Sequence, residues 1–186
     1  CLYPMFAENR RAERKSTVIN FLHSNYKIQD VLDLTELEKE GIFLEGTGSM
    51  VLDHQNKIAY GCLSERLDKA AFTSWCHKMQ FKPITFKAVD DKAQPIYHTN
   101  VMMCVGNQFV VICLESIPNE LEKQILLECF LQTNKEVITI SQDQLNHFAG
   151  NMLQVFDMHE KPHLIMSEQA HRSLEPAQVK NLEKYN

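Results

Sequence analysis

The stretch FLEGTGSMVLDHQNKIAYGCL, residues 43–63, decides the fold of this chain. It opens with a tight glycine loop, EGTG at residues 45–48, and continues into an apolar run, Ser49–Asp53. A polar turn at residues 54–56 separates this run from a second one, Ile58–Leu63. Two short apolar runs around a polar turn are typical of a β-hairpin. The stretch therefore predicts a hairpin entered through a glycine loop that carries one carboxylate, Glu45.

The same pattern recurs twice further along the chain. Ser49, Asn100 and Asn151 each begin an apolar run that leads through a polar turn to a second run. Their even spacing of about fifty residues is typical of repeated supersecondary units. A segment with helical spacing and then a β-branched segment follow the first two hairpins, so the predicted unit is strand–strand–helix–strand. Because equivalent loops of a cyclic repeat meet at one end, Glu45 is predicted to lie near His98.

The repeat also predicts how the chain is organised. Residues 1–186 are expected to be one domain, with complete units at 49–89 and 100–140. Residues 1–35 read as a helix, Asn9–Asn25, and a strand, Ile28–Leu34, without most of a hairpin. Residues 151–186 read as a hairpin and a helix without a closing strand. Soluble proteins avoid unpaired strand edges, so we expect this chain to be part of a longer fold.

Composition limits the possible classes of function. The 186 residues are 44% hydrophobic and 23% charged, as in ordinary soluble domains. A net charge of −5 gives no general basic field for nucleic acid, and the apolar runs are too short to cross a membrane. The six cysteines include no CxxC pair, which favours reduced thiols and a cytoplasmic setting. The spacing of the histidines fits no metal-ligand pattern.

Four motifs together resemble those of a known enzyme group. They are FLEGTGSMVLD at 43–53, AYGCLSERLD at 59–68, IYHTNVMMCVG at 96–106 and FAGNMLQV at 148–155. The chain resembles the guanidino-group-modifying enzymes, in particular the arginine-deiminase-related, amidinotransferase-like branch that includes citrulline hydrolases. The segment LYPMFAENRRAER at 2–14 is similar to the same branch. The resemblance implies a pentein-type fold, a five-bladed α/β propeller of ββαβ units around a polar site, which this chain would contain incompletely.

The chemistry of that group suggests two catalytic residues. A guanidinium or ureido carbon is a poor electrophile, so attack by a cysteine thiolate divides one difficult step into two easier ones. A carboxylate orients the substrate's N–H groups, and a histidine protonates the departing amine and then activates water. The resemblance assigns the carboxylate role to Glu45 and the acid–base role to His98.

Three further residues are predicted to bind substrate. Arg66 matches a position that holds the α-carboxylate of the substrate in this group. Asn100 stands where many relatives have a second carboxylate, and the loss of that charge would suit a less cationic substrate such as citrulline. Arg11 is a candidate second clamp, and its neighbour Arg10 is an equal candidate.

The expected nucleophile has no counterpart in this sequence. In the group it is a cysteine in a glycine-rich segment near the C-terminus, and nothing matches that segment here. We therefore expect a hydrolase of guanidino or ureido amino acids, such as citrulline or arginine, that needs no metal or organic cofactor and whose nucleophile lies outside this chain. The chain alone is expected to be inactive and to self-associate or pair with the missing segments. The alternative is a non-catalytic propeller-fold binding module or a degenerate fragment.

Overall fold

Three small sheets succeed one another along the chain, each beginning with a hairpin. The computed structural model describes residues 1–46 and 48–185; Thr47, in the predicted glycine loop, and Asn186 lie outside the described residues. The helices are α1 (Glu8–Arg11), α2 (Ser16–Asn25), α3 (Lys69–Met79), α4 (Thr99–Met102), α5 (Glu120–Gln132), α6 (Gln142–Asn146), α7 (Glu168–Ser173) and α8 (Pro176–Glu183), with 3₁₀ turns at Thr35–Glu40 and Leu114–Ser116. The strands are β1 (Met50–Asp53), β2 (Ile58–Cys62), β3 (Lys82–Phe86), β4 (Met103–Val105), β5 (Phe109–Ile112), β6 (Glu136–Thr139), β7 (Leu153–Phe156) and β8 (Pro162–Ile165).

The first two sheets have the same internal order. Strand β2 pairs antiparallel with β1 and parallel with β3, and β5 pairs in the same way with β4 and β6. Helix α3 connects the parallel strands of the first sheet, and α5 connects those of the second. The third sheet is the antiparallel pair β7–β8. The molecule is thus a mixed α/β structure.

Both connecting helices begin at a side-chain cap. Asp68 accepts a hydrogen bond from the N–H of Ala71 at the start of α3, and Asn119 caps α5 in the same way. Such caps satisfy backbone donors that have no partner inside the helix. Helix α5 buries Leu126, Cys129 and Phe130, whereas other apolar side chains of the helix, such as Leu121, remain exposed.

The N-terminal region differs from its predicted structure. The predicted helix Asn9–Asn25 is two helices, because the backbone of Lys15 is extended and the side chain of Arg14 turns back to Glu38, at 2.6 Å. The predicted strand Ile28–Leu34 is not a strand, since its one ladder contact is an isolated bridge between Leu2 and Asp33. A strand needs a neighbouring strand with which to form hydrogen bonds, and the apolar residues of this segment do not ensure one.

The predicted second hairpin also starts differently. The residues from Thr99 to Met102 form the helical turn α4, and the strand begins only at Met103. The side chain of Thr99 is fully buried at the start of this turn.

A buried ion pair joins the first two sheets. Lys135, just before β6, contacts Asp53, the last residue of β1, at 2.9 Å between Nζ and Oδ2. The Lys135 side chain is 0% exposed and that of Asp53 is 2% exposed. The ammonium also donates to the carbonyls of Gly106 and Asn107, and Asn56 donates to the carboxylate. These contacts satisfy both buried charges, and they fix the ends of three strands relative to one another.

We expect Lys135→Met to lower the free energy of unfolding by about 3–5 kcal/mol, because it leaves a buried carboxylate without its cation. The matched control is Lys184→Met, which removes a more exposed ion pair with Glu136 and should cost at most about 1 kcal/mol. Urea unfolding of both variants measures the difference. Similar losses of unfolding free energy in the two variants would contradict the expectation that the buried ion pair contributes more than the exposed one.

Candidate functional site

The carboxylate of Glu45 lies at the centre of a buried polar cluster in the loop before β1. Its side chain is 0% exposed. One oxygen, Oε1, accepts hydrogen bonds from the backbone N–H groups of Phe6, at 2.9 Å, and Ala7, at 3.4 Å. The other, Oε2, lies 2.7 Å from Nε2 of His98 and 3.3 Å from Nη1 of Arg66. The structure therefore brings together Glu45, His98 and Arg66 through one carboxylate.

Backbone contacts between two loops bring Glu45 and His98 together. The N–H of Asn100 donates to the carbonyl of Gly48, at 3.2 Å. The hydroxyl of Thr99 donates to the carbonyl of Ser49 and accepts from the N–H of Cys62, at 2.7 Å. Thr99 thus ties the start of α4 to both strands of the first hairpin. Thr99 was not among the predicted site residues, although its place next to His98 in the motif is a signal of such a role.

The contact with Glu45 determines which nitrogen of His98 carries a proton. An ionised carboxylate only accepts hydrogen bonds, so the neutral imidazole carries its proton on Nε2. Its other nitrogen, Nδ1, then has a free lone pair, and no hydrogen-bond partner for it lies within residues 1–46 and 48–185. A histidine oriented by a carboxylate, with its second nitrogen available, can accept or donate a proton at a bound substrate.

Burial and neighbouring charges affect both groups. Burial lowers the pKa of His98, and Arg66 and Arg10 lower it further; the contact with Glu45 opposes this effect without cancelling it. Burial alone would raise the pKa of Glu45, but hydrogen bonds from His98 and from the backbone, together with the charge of Arg66, leave it below its ordinary value. Glu45 is therefore ionised and His98 neutral near neutral pH.

Two aromatic rings flank Arg66. The guanidinium carbon lies 4.9 Å from the ring centre of Tyr97 and 5.8 Å from that of Phe6. Cations are attracted to aromatic faces at such distances. The Arg66 side chain is 28% exposed, so part of the guanidinium remains accessible beside His98. Phe6 and Tyr97 belong to the site and were not predicted as site residues.

The two candidate second clamps occupy different positions. Arg11 donates to the carbonyl of Met5, at 3.0 Å, and lies 3.4 Å from the carboxylate of Glu38, so structural contacts hold its guanidinium. Arg10 pairs with Glu13 on the surface. Of these two arginines, Arg10 is the one whose charge lowers the pKa of His98.

Asn100 is one of the residues that line a neighbouring groove. The groove has a volume of about 600 Å³ and runs along β1, β4 and β7, where its lining includes Met50, Asn107 and Asn151. Glu45, His98 and Arg66 do not line it. Asn100 therefore lines the groove, while its backbone N–H contacts the carbonyl of Gly48 in the loop that carries Glu45.

Three of the buried cysteines are poor nucleophiles in their present surroundings. Cys1 is exposed, and the other five are buried. Burial raises the pKa of Cys62, Cys76 and Cys104 to about 12, so these groups remain thiols near neutral pH. In the part of the chain that the structure describes, no cysteine sulfur bonds to Glu45 or His98, and no cluster of three or more His, Cys, Asp or Glu side chains could hold a metal ion.

Comparison with known proteins identifies the family. The family model described as N,N-dimethylarginine dimethylhydrolase, eukaryotic, matches residues 1–186. The chain belongs to this family. The predicted resemblance to guanidino-group-modifying enzymes is thereby confirmed. No curated protein sequence matches this dimethylarginine dimethylhydrolase family member.

Solved structures share the fold at low sequence identity. The N-terminal domain of ArgZ, an arginine dihydrolase from the ornithine–ammonia cycle in cyanobacteria, superposes with a TM-score of 0.70 and 13% identity. The match covers 98% of this family member and 59% of the ArgZ domain. Structures of that domain bound to substrate and covalently bound to a reaction intermediate match equally well. This chain therefore spans just under three fifths of the domain that it resembles.

Within the described residues of this family member, no helix combines the length and the apolar character needed to span a bilayer.

Gly48 leaves room for the imidazole of His98. A Cβ atom at this position would lie 2.9 Å from Cε1 and 3.0 Å from Nδ1 of the ring. We expect Gly48→Ala to lower the free energy of unfolding by about 1–3 kcal/mol, because the ring must shift. Urea unfolding measures this cost, and the same substitution in a His98→Ala background is the control. The penalty should largely disappear there, and equal penalties in both backgrounds would rule out the steric explanation.

Proposed function

We propose that the protein containing this chain hydrolyses the guanidino or ureido group of an arginine-derived amino acid through a cysteine nucleophile. The observation that supports this best is the grouping of His98 and Arg66 on one buried carboxylate oxygen of Glu45. Dimethylarginine is named in the family description, arginine in the description of the ArgZ structures, and Asn100 suits citrulline. These three compounds are the substrates to test.

His98 is the proposed acid–base group. In its protonated form it gives the Nδ1 proton to the departing amine and becomes neutral. The same nitrogen then takes a proton from water as the water attacks the covalent intermediate. Glu45 is a positioning residue in this scheme, because both of its oxygens already accept hydrogen bonds from Phe6, Ala7, His98 and Arg66. This differs from the direct contact with substrate N–H groups expected from sequence.

Arg66 is the proposed clamp for the substrate's α-carboxylate. Guanidinium groups bind carboxylates through paired, charge-assisted hydrogen bonds. Its partial exposure and its fixed position over Tyr97 favour this role. Arg10 is a better placed second clamp than Arg11, since the guanidinium of Arg11 is held by Met5 and Glu38. Asn100 is proposed to contact the substrate from the neighbouring groove, which it lines.

The nucleophile is proposed to be a cysteine outside residues 1–186. The raised pKa values of Cys62, Cys76 and Cys104 support this, because a thiolate is the attacking species. We further propose that the sheets are blades of an incomplete α/β propeller, with units at 49–89 and 100–140 within a single domain. The identical order of the two three-stranded sheets supports this arrangement.

His98→Gln in the protein that contains the nucleophile should lower kcat by about 10²–10⁴-fold with little change in KM, because proton transfer occurs in the transition state. Arg66→Met should mainly raise KM, by about tenfold or more, as expected for the loss of a charge-assisted hydrogen bond. Release of ammonia or methylamines from the three substrates measures both effects. His147→Gln is the control, since His147 is exposed and contacts Asp143 instead. Unchanged kcat in His98→Gln would refute the acid–base assignment.

Residues 1–186 alone should release no ammonia or amine from these substrates. We also expect them to self-associate or to bind the segments that complete the fold, because the third sheet exposes large apolar side chains. Leu153 is 64% exposed, Phe156 49% and Ile165 55%. Light scattering gives the mass in solution, and the Phe156→Ser variant should reduce association. Turnover by a monomeric chain would overturn both expectations and would reopen the assignment of the nucleophile.

A further inference from the structure

One oxygen atom connects the proposed carboxylate clamp to the proposed acid. Oε2 of Glu45 is 2.7 Å from Nε2 of His98 and 3.3 Å from Nη1 of Arg66. The other oxygen is held by two backbone N–H groups. The carboxylate cannot turn to give each side chain its own oxygen without breaking those bonds. His98 and Arg66 therefore share a single acceptor in a side chain that is completely buried.

Arg66 keeps most of its hydrogen-bonding capacity for another partner. A guanidinium has five N–H donors. Within the described residues, the guanidinium of Arg66 donates one hydrogen bond, to Glu45. The side chain is 28% exposed, whereas that of His98 is 11% exposed. An anion arriving from solvent can therefore reach Arg66 while the imidazole stays largely shielded.

We propose that the shared oxygen of Glu45 makes Arg66 a charge switch for His98, so that a carboxylate bound by Arg66 converts the neutral imidazole into the cation. The inference rests on the role of Arg66 as carboxylate clamp in the proposed function, and goes beyond it by linking substrate binding to the protonation of the acid. The proton comes from solvent: an N–H bond forms at Nδ1 of His98 as an O–H bond of hydronium or a buffer acid breaks, and no heavy-atom bond changes.

Two effects of the bound anion act in the same direction. Its negative charge offsets the positive charge of Arg66, which otherwise disfavours a cation at His98. It also competes with Glu45 for the guanidinium, which leaves Oε2 to the imidazole alone and strengthens a contact that favours the charged ring. The charged groups that act on His98 are Glu45 from the loop before β1, Arg66 from the segment after β2 and Arg10 from α1. The Tyr97 ring packs 4.9 Å from the ring of His98.

The consequence is an acid that is charged only when a substrate is in place. Without ligand, Arg66 and burial keep His98 neutral. With the α-carboxylate on Arg66, the imidazolium is ready to protonate the departing amine. By thermodynamic linkage, the same coupling makes a carboxylate ligand bind more tightly as the pH falls through the titration of His98.

Two-dimensional NMR can follow the His98 ring during a pH titration of the protein. The probe is L-norvaline, which has an α-carboxylate and no guanidino group. The control ligand is L-norvalinamide, in which an amide replaces that carboxylate. We expect norvaline to shift the titration midpoint of His98 upward and norvalinamide to leave it unchanged. The affinity for norvaline should rise about fivefold or more between pH 8 and pH 6.

Variants test the switch without any ligand. Arg66→Met removes the charge and should shift the His98 midpoint upward, after which norvaline should have no further effect. Arg66→Lys keeps the charge and should retain a low midpoint, which separates charge from mere damage to the fold. Arg172→Met is the matched control, because Arg172 is exposed and pairs with Glu168 near the C-terminus.

The outcomes separate this inference from the proposed function. If norvaline binds without moving the His98 midpoint, or if Arg66→Met leaves that midpoint at the wild-type value, the charge switch is wrong while the clamp and the hydrolase assignment stand. If norvaline does not bind at all, both the clamp and the switch are overturned. Should Arg66→Met fail to fold, the ligand titration of the wild-type protein and of Arg66→Lys decides the matter.

Discussion

The burial of Glu45 is the constraint on which the site depends. A carboxylate that is removed from water is costly unless hydrogen bonds and cations replace its hydration. Here the N-terminal segment contributes the N–H groups of Phe6 and Ala7, the segment after β2 contributes Arg66, and the second loop contributes His98. Three separate parts of the chain must therefore meet at one carboxylate, and the position of each is fixed by the need to satisfy it.

A second buried carboxylate stands at the other end of β1. Asp53 is satisfied by Lys135 and Asn56, and Lys135 in turn holds two carbonyls of the β4–β5 turn. Strand β1 is thus held at both ends by buried charges that find their partners in other segments. One end assembles the polar site, and the other locks the second sheet against the first. The same physical cost, desolvation of an anion, specifies both contacts.

The two ends differ in what they allow. The Asp53–Lys135 pair is closed to solvent and holds the two sheets together. At Glu45, one cationic partner is partly exposed and the other is a histidine, whose protonation can change near neutral pH. The paired charges of Asp53 and Lys135 stabilise the fold. Beside Glu45, the partly exposed Arg66 lets a ligand alter the balance of charge. The Asp53 end of β1 is therefore suited to a structural role, and the Glu45 end is suited to chemistry.

Parts of this protein follow directly from its sequence. The hairpins after the three loops, the helices α3 and α5 and the candidates Glu45, His98 and Arg66 could be predicted, because hydrophobic spacing, turns and motifs are local signals. The break at Lys15 and the turn at Thr99 could not, because distant partners determined them: Glu38 for Arg14, and Ser49 with Cys62 for Thr99. The absence of a strand at 28–34 could not either, because pairing with another segment decides it, and only an isolated bridge to Leu2 forms there.

The choice among equivalent residues also required the tertiary structure. Arg10 and Arg11 are identical in type and adjacent in sequence, yet Glu38 and the Met5 carbonyl hold Arg11, while the charge of Arg10 acts on His98. Sequence alone determined which residue types were available and at which spacing. The packed chain decided which of them share a desolvated carboxylate, because the cost of burying that charge depends on groups that meet only after folding.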